Sequence, residues 1–210
     1  MEISEPVIGV VLCGGRSSRM GGGDKCLLEL GGESVLARIL HLFRPQVTEI
    51  IINANGDPSR FAGFGLPVIA DSIAGLAGPL AGVHAGLEWV KAHANGVRSV
   101  VTIASDTPFF PSDLVQRFLS ALQDEPALAV AASREGVHPV IGLWPLAIAP
   151  KIEEALGRGL RKAGAFTKDH GAIEVFFEPT RIGEGYVDPF FNINRPEDLA
   201  HANDLLRGAP

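Results

Sequence analysis

Short, uninterrupted apolar runs alternate with stretches of helical periodicity along most of this chain, and that alternation is the strongest constraint on its fold. Val7 to Leu12 (VIGVVL), Glu49 to Asn53 (EIIIN), Leu66 to Ala70 and Ser99 to Ala104 (SVVTIA) are each five or six residues long. Their apolar residues are consecutive rather than alternate, as in strands buried on both faces. Between them, Val35, Leu36, Ile39, Leu40 and Phe43 make one apolar stripe over Ser34 to Phe43, and Leu80 to His93 reads as a helix. Pro111-Ser112 opens a predicted helix through Leu122, with Leu114, Val115, Phe118 and Leu119 inward. Further strands are predicted at Leu128 to Ala132, Val140 to Trp144 and Ile173 to Phe177, a helix near Ile148 to Leu156, and a short helix within Gly157 to Gly171. Asn194-Arg195-Pro196-Glu197 opens a closing helix that ends near Leu206. Strands alternating with helices imply an α/β fold whose sheet is mostly parallel and covered on both faces. In such sheets ligands lie beyond the carboxyl ends of the strands.

Length and charge narrow the function. At 210 residues, with no internal repeat, charge block or linker, the chain reads as a single domain over 1–210, with 1–6 and 208–210 as frayed tails. Its 46% hydrophobic and 20% charged residues are those of an ordinary globular protein. The net charge of −6 argues against a general nucleic-acid partner, so any anion bound must be met by a local site. The two cysteines, Cys13 and Cys26, have no zinc-like spacing and fit a reducing cytoplasm. An acidic start and the lack of any apolar run near the ~20 residues that cross a bilayer give a cytoplasmic, soluble protein with no membrane partner as the expectation.

The first apolar run ends in LCGGRSSRMGGGDK, residues 12 to 25. Lys25 follows Asp24 and precedes Cys26, so the loop is not a Walker A loop, and no Gly-x-Gly-x-x-Gly follows the run. Gly14, Gly15, Gly21, Gly22 and Gly23 let backbone N–H groups converge on an anion, while Arg16, Arg19 and Lys25 bring charge to it. A polyphosphate is the natural occupant. A surface turn with solvated basic residues is the alternative, and the loop's place at the end of a buried strand weighs against it.

The segment resembles the LAGGxSxRMGxDK signature of nucleotidyltransferases, and GGGDKCLLELGG at 21–32 is similar to that of the molybdenum cofactor guanylyltransferases. Cys13 stands where that family usually has alanine. Other marks follow in the family's order: Ile52-Asn53-Ala54-Asn55, Val68-Ile69-Ala70-Asp71, Gly78 to Gly82, Ser105 to Phe109, His138-Pro139 and Phe191 to Leu199. The resemblance implies a Rossmann-like three-layer α/β/α fold of the nucleotide-diphospho-sugar transferase type, with a mostly parallel, mixed sheet. It implies transfer of GMP from GTP to the terminal phosphate of molybdopterin, with release of pyrophosphate. By the same resemblance, Arg19, Lys25 and Asp106 are catalytic, and Asp106 holds Mg²⁺. Leu12, Cys13, Gly14, Gly15, Lys25, Asn53, Asp71, Pro79, Leu80, Gly82 and Asp106 contact the nucleotide. His138, Asn192 and Asn194 are placed toward the acceptor.

Several of these residues have a plainer reading. Asp106 before Thr107-Pro108 is also a common turn aspartate, Asn194 an ordinary helix N-cap, and His138 a structural histidine. Arg161, Lys162 and Lys168 either grip the acceptor's phosphate or form a solvated face. Partners implied by the resemblance are GTP, molybdopterin and maturation proteins of molybdoenzymes, with a monomer or weak homo-oligomer expected. The rival activities are a cytidylyl- or sugar-phosphate nucleotidyltransferase and a nucleotide-binding module without turnover.

Overall fold

In the computed structural model, which describes residues 6–14, 24–72, 78–122 and 126–208, the apolar run at Val7–Leu12 is β1, buried at every position. Alternation sends Val7, Val11 and Cys13 into one core and Ile8, Val10 and Leu12 into the other. This two-sided burial is why the run carries no polar residue.

β1 lies inside a seven-stranded sheet with β4 (Glu49–Asn53), β5 (Val68–Ile69), β6 (Ser99–Ala104), β7 (Ala129–Ser133), β8 (Gly136–Pro145) and β9 (Ile173–Phe176), in the order β5-β4-β1-β6-β8-β7-β9. β5, β4, β1 and β6 pair in parallel, as do β7 and β9. β8 is antiparallel to both of its neighbours, so one strand of the seven is reversed and the sheet is mixed, as expected.

On one face pack α1 (Val35–Phe43), α3 (Leu114–Ala121) and α6 (Pro196–Arg207); on the other pack α2 (Pro79–His93), α4 (Ala149–Gly157) and α5 (Ala163–Asp169). Ser34 starts α1 by accepting a hydrogen bond from the Ala37 N–H, 3.1 Å. α2 reaches the sheet through glycines. A Cβ on Gly86 would stand 2.8 Å from Val10 Cγ2, and one on Gly82 would collide with the Asn53 amide. The axis of α2 is therefore pressed close to the strand ends at its first turn.

The structure departs from the sequence reading at several elements, and the strand expected over Leu66 to Ala70 is only Val68–Ile69. β8 runs through His138 and Pro139 instead of starting at Val140. Its pairing with β7 shifts register between Val130 and Ala131, and such an irregularity tolerates a proline that cannot donate to the ladder. α3 begins at Leu114, because Pro111 forms a turn that accepts the Leu114 N–H. Two small hairpins were not foreseen: β2 (Glu29–Leu30) with β3 (Glu33–Ser34), and β10 (Thr180–Ile182) with β11 (Gly185–Val187). The first turns on Gly31 and Gly32, both at positive φ, and α6 holds it through the Asn203 side chain, which accepts the Gly31 N–H at 2.9 Å.

Candidate nucleotide site

Strand register builds the site. Leu12 lies opposite Asn53 on one side and Ala104 on the other, so β4, β1 and β6 end together. The ladder continues one residue further: the Cys13 N–H donates to the Asn53 carbonyl at 2.8 Å and the Ser105 N–H to the Leu12 carbonyl at 3.2 Å. Asn53, Cys13-Gly14 and Ser105-Asp106 are thereby brought to one edge of the sheet. A cavity of about 260 Å³ opens there, drawn from Cys13-Gly14, from Ser105-Asp106, and from Asp24 to Cys26 with Asn194. Lys25 and Asp106, 81 residues apart in sequence, thus share one pocket. Gly15, Arg16, Arg19 and Gly21 to Gly23 lie outside the described residues.

Among the described residues the pocket brings together one cation, Lys25, and two acids, Asp24 and Asp106. The Lys25 ammonium donates to Asn194 Oδ1 at 3.3 Å. Asp24, beside it, forms an ion pair with Arg60, Nε to Oδ2 2.6 Å, in which Nε lies off hydrogen-bond alignment. Burial pushes the Asp106 carboxyl above the usual carboxylate range; the Lys25 charge, its own backbone N–H and the Thr107 hydroxyl only partly oppose this. A carboxylate so poorly compensated has room for a further positive partner.

Asp106 is held by residues that the sequence reading did not select. The Thr107 side chain is fully buried, and its hydroxyl donates to Asn192 Oδ1 at 2.8 Å, with Asp106 Oδ1 at 3.4 Å. The Ile193 N–H donates to the Asp106 carbonyl at 2.9 Å. Residues 192–194 therefore join the end of β6 to Lys25. The N-cap of α6 is Arg195, and the Asp198 carboxylate accepts the N–H groups of Asn194 and Arg195 at 2.8 Å each. The Asn194 side chain is left to face Lys25 rather than cap the helix.

A second niche flanks the pocket. The Asn53 amide donates to Asp71 Oδ1 at 3.1 Å and to the Ile69 carbonyl at 3.4 Å. Asn55 grips Asp71 twice, donating to Oδ2 at 2.7 Å and accepting the Asp71 N–H at 3.0 Å. Asn55 was quoted only as part of a motif; its spacing of two from Asn53 is the signal that both belong to one face. Pro79, Leu80 and Gly82 form the first turn of α2, with Gly82 against Asn53.

His138 does not line the pocket. Its ring shares a 2.8 Å hydrogen bond with Ser133 Oγ and lies 4.7 Å from the Phe190 ring centroid. Burial lowers its pKa, against the opposing charges of Asp188 and Glu135. Arg161 donates to the carbonyls of Leu156 and Leu160 and so closes the end of α4. Among the described residues no cluster of three or more His, Cys, Asp or Glu is arranged to hold a metal ion, and no helix is long and apolar enough to cross a membrane.

With this geometry in hand, comparison with known proteins assigns the family. Residues 9–173 match the model of the MobA-like NTP transferase domain. The chain belongs to that family. It is 48% identical over 203 residues to the molybdenum cofactor guanylyltransferase of Mesorhizobium japonicum, with 96% of each chain covered. Among solved structures it shares its fold with molybdopterin-guanine dinucleotide biosynthesis protein A from Archaeoglobus fulgidus, at a TM-score of 0.67 and 19% identity over 95% of this chain and 98% of that one. A Mycobacterium tuberculosis protein solved in complex with manganese has the same fold, at a TM-score of 0.65 and 16% identity over 95% and 98% of the two chains. The chain is a nucleotidyltransferase, and its pocket lies where such a sheet places its ligand.

Proposed function

We propose that this chain transfers GMP from GTP to the terminal phosphate of molybdopterin and releases pyrophosphate, with residues 1–210 acting as a single domain. The observation that carries the site assignment is the meeting of Lys25, Asp106 and the bare backbone of Cys13-Gly14 in one cavity at the end of β1. The near-complete match to a guanylyltransferase carries the choice of substrates.

An attacking phosphate monoester, with a second pKa near 6, is largely ionised at neutral pH and needs no general base. The obstacle is charge, since one anion must approach another in line with the departing pyrophosphate. Lys25 and Arg19 neutralise the triphosphate, and the backbone N–H of Gly14, beyond the last ladder bond of β1, orients it. Asn53 and Asp71, with Pro79, Leu80 and Gly82 beside them, receive the ribose and base. Asn192 and Asn194 face the acceptor, with His138 further out, its lowered pKa keeping it a neutral hydrogen-bonding group.

The residues present fit a divalent cation, for which we propose Mg²⁺. Asp106 offers a half-buried, under-compensated carboxylate. A hard ion of this type takes one or two carboxylates and completes its shell with phosphate oxygens and water, so a three-residue cage is not required. When bound, such an ion supplies charge neutralisation of the phosphates.

Pyrophosphate release measured across GTP, CTP, ATP and UTP, with and without molybdopterin, tests this reading. Release with GTP that depends on the acceptor is expected. Preference for CTP, or binding of GTP without release, would replace it with one of the rivals.

A further inference from the structure

The chain contains two cysteines, and the fold brings both to the same cavity although twelve residues separate them. Cys13 directly follows β1 and Cys26 lies in the short helical turn Lys25–Leu27. They are 7% and 2% exposed and belong to the same core cluster. Both line the one cavity, where the two thiols are close enough to interact and Ser105 is a further neighbour of Cys13. Neither thiol has a role in the transfer described above. Two thiols in contact, reachable through a cavity and lying beside the phosphate-binding lysine, form a modification site.

We propose that Cys13 and Cys26 are a dithiol that small disulfides convert to an intramolecular disulfide, closing the nucleotide cavity, and that thiols reopen. The Cys26 thiolate attacks R–S–S–R and releases one R–S⁻, giving a mixed disulfide; the Cys13 sulfur then displaces the second R–S⁻. Two RSH form, and the two cysteines together lose two protons and two electrons. The contact with Cys26 and burial hold the Cys13 thiol well above its ordinary pKa, which makes the closing step slow.

Closure acts on Lys25. A disulfide holds its sulfurs about 2.05 Å apart, much closer than two unbonded thiols. Drawing Cys26 inward carries its neighbour Lys25 with it, and a displacement of about 1 Å at a reacting centre costs about 10²-fold in rate. A nucleotide already in the cavity blocks access and slows the reaction.

The effect on turnover rests on the proposed function, whereas formation of the bond does not. The test treats the wild-type chain with 2-hydroxyethyl disulfide, with and without GTP and Mg²⁺, and reads intact mass, the nucleotide-induced shift in Tm, and pyrophosphate release. Expected are a loss of two hydrogen masses with no retained adduct, a peptide cross-link between Cys13 and Cys26, loss of the nucleotide-induced Tm shift, and at least a tenfold fall in release. Dithiothreitol restores all four, and prior GTP delays them. Cys26→Ala, compared with its own untreated rate, shows no loss of two hydrogens. Unmodified thiols, separate adducts on both cysteines, or a bond that leaves nucleotide binding and turnover unchanged would each overturn the proposal. A reduced protein that binds no nucleotide yet forms the bond would instead refute the proposed function.

Discussion

Replacing Asp106 by Asn is expected to separate stability from catalysis. Its carboxyl pKa is raised, chiefly by burial. An acid raised in this way favours the fold in its protonated form. That contribution is complete below the unfolded value of about 3.9 and is lost as pH rises through the folded pKa. At pH 7 the ionised carboxylate therefore opposes folding, and Asn, which keeps the shape and the acceptor facing Thr107, removes the opposition. Without divalent cation, D106N should unfold at or above the wild-type temperature at pH 7, with the difference closing below about pH 3.9. With Mg²⁺ and GTP the order reverses. A ligand at a hundred times its Kd adds about 2.7 kcal/mol, which for a domain of this size is about 5–11 °C in Tm. The wild type should gain that shift and the variant should not. On the proposed role, in which Asp106 helps to stabilise charge in the transition state, kcat should fall about 10²–10³-fold. Calorimetry at several pH values together with a pyrophosphate assay measures all of this. A variant several degrees less stable without metal, yet within threefold of the wild-type rate, would refute the reasoning.

Three other substitutions probe the rest of the pocket. Lys25→Ala should slow turnover about 10²–10³-fold while changing unfolding free energy by less than about 1 kcal/mol, since its side-chain hydrogen bond to Asn194 is exposed; denaturant titration beside single-turnover rates checks both. Thr107→Val leaves Asn192 Oδ1 without its donor, should cost about 1–3 kcal/mol of stability and should raise the metal concentration needed for half-maximal rate, with Thr107→Ser restoring both. Gly82→Ala crowds Asn53 and Leu12, should destabilise by about 1–3 kcal/mol, and should raise KM for GTP more than it lowers kcat.

The parts of the fold that were legible in the sequence are those where one physical demand dominates. β1, β4 and β6 are buried on both faces, so their apolar runs are continuous and their ends sharp. α1 shows its stripe because one side packs and the other meets water. The β2–β3 hairpin was not legible, since two-residue strands carrying Glu29 and Glu33 show no periodicity. β8 was cut short because Pro139 reads as a boundary, whereas the irregular pairing with β7 accommodates it. In the pocket, Lys25, Asp106 and Asn194 are found together. The positioning by Thr107 was not readable, because its partner Asn192 lies 85 residues away and nothing local marks the contact. The same holds for the meeting of the two thiols.

The most direct test of the central claim is a crystal of this chain soaked with GTP and Mn²⁺, the manganese located by its anomalous signal. The expected result is a metal peak on the Asp106 carboxylate, the α-phosphate beside Lys25, and the guanosine against Asn53 and Gly82. A nucleotide bound elsewhere, or a metal peak away from Asp106, would contradict the account.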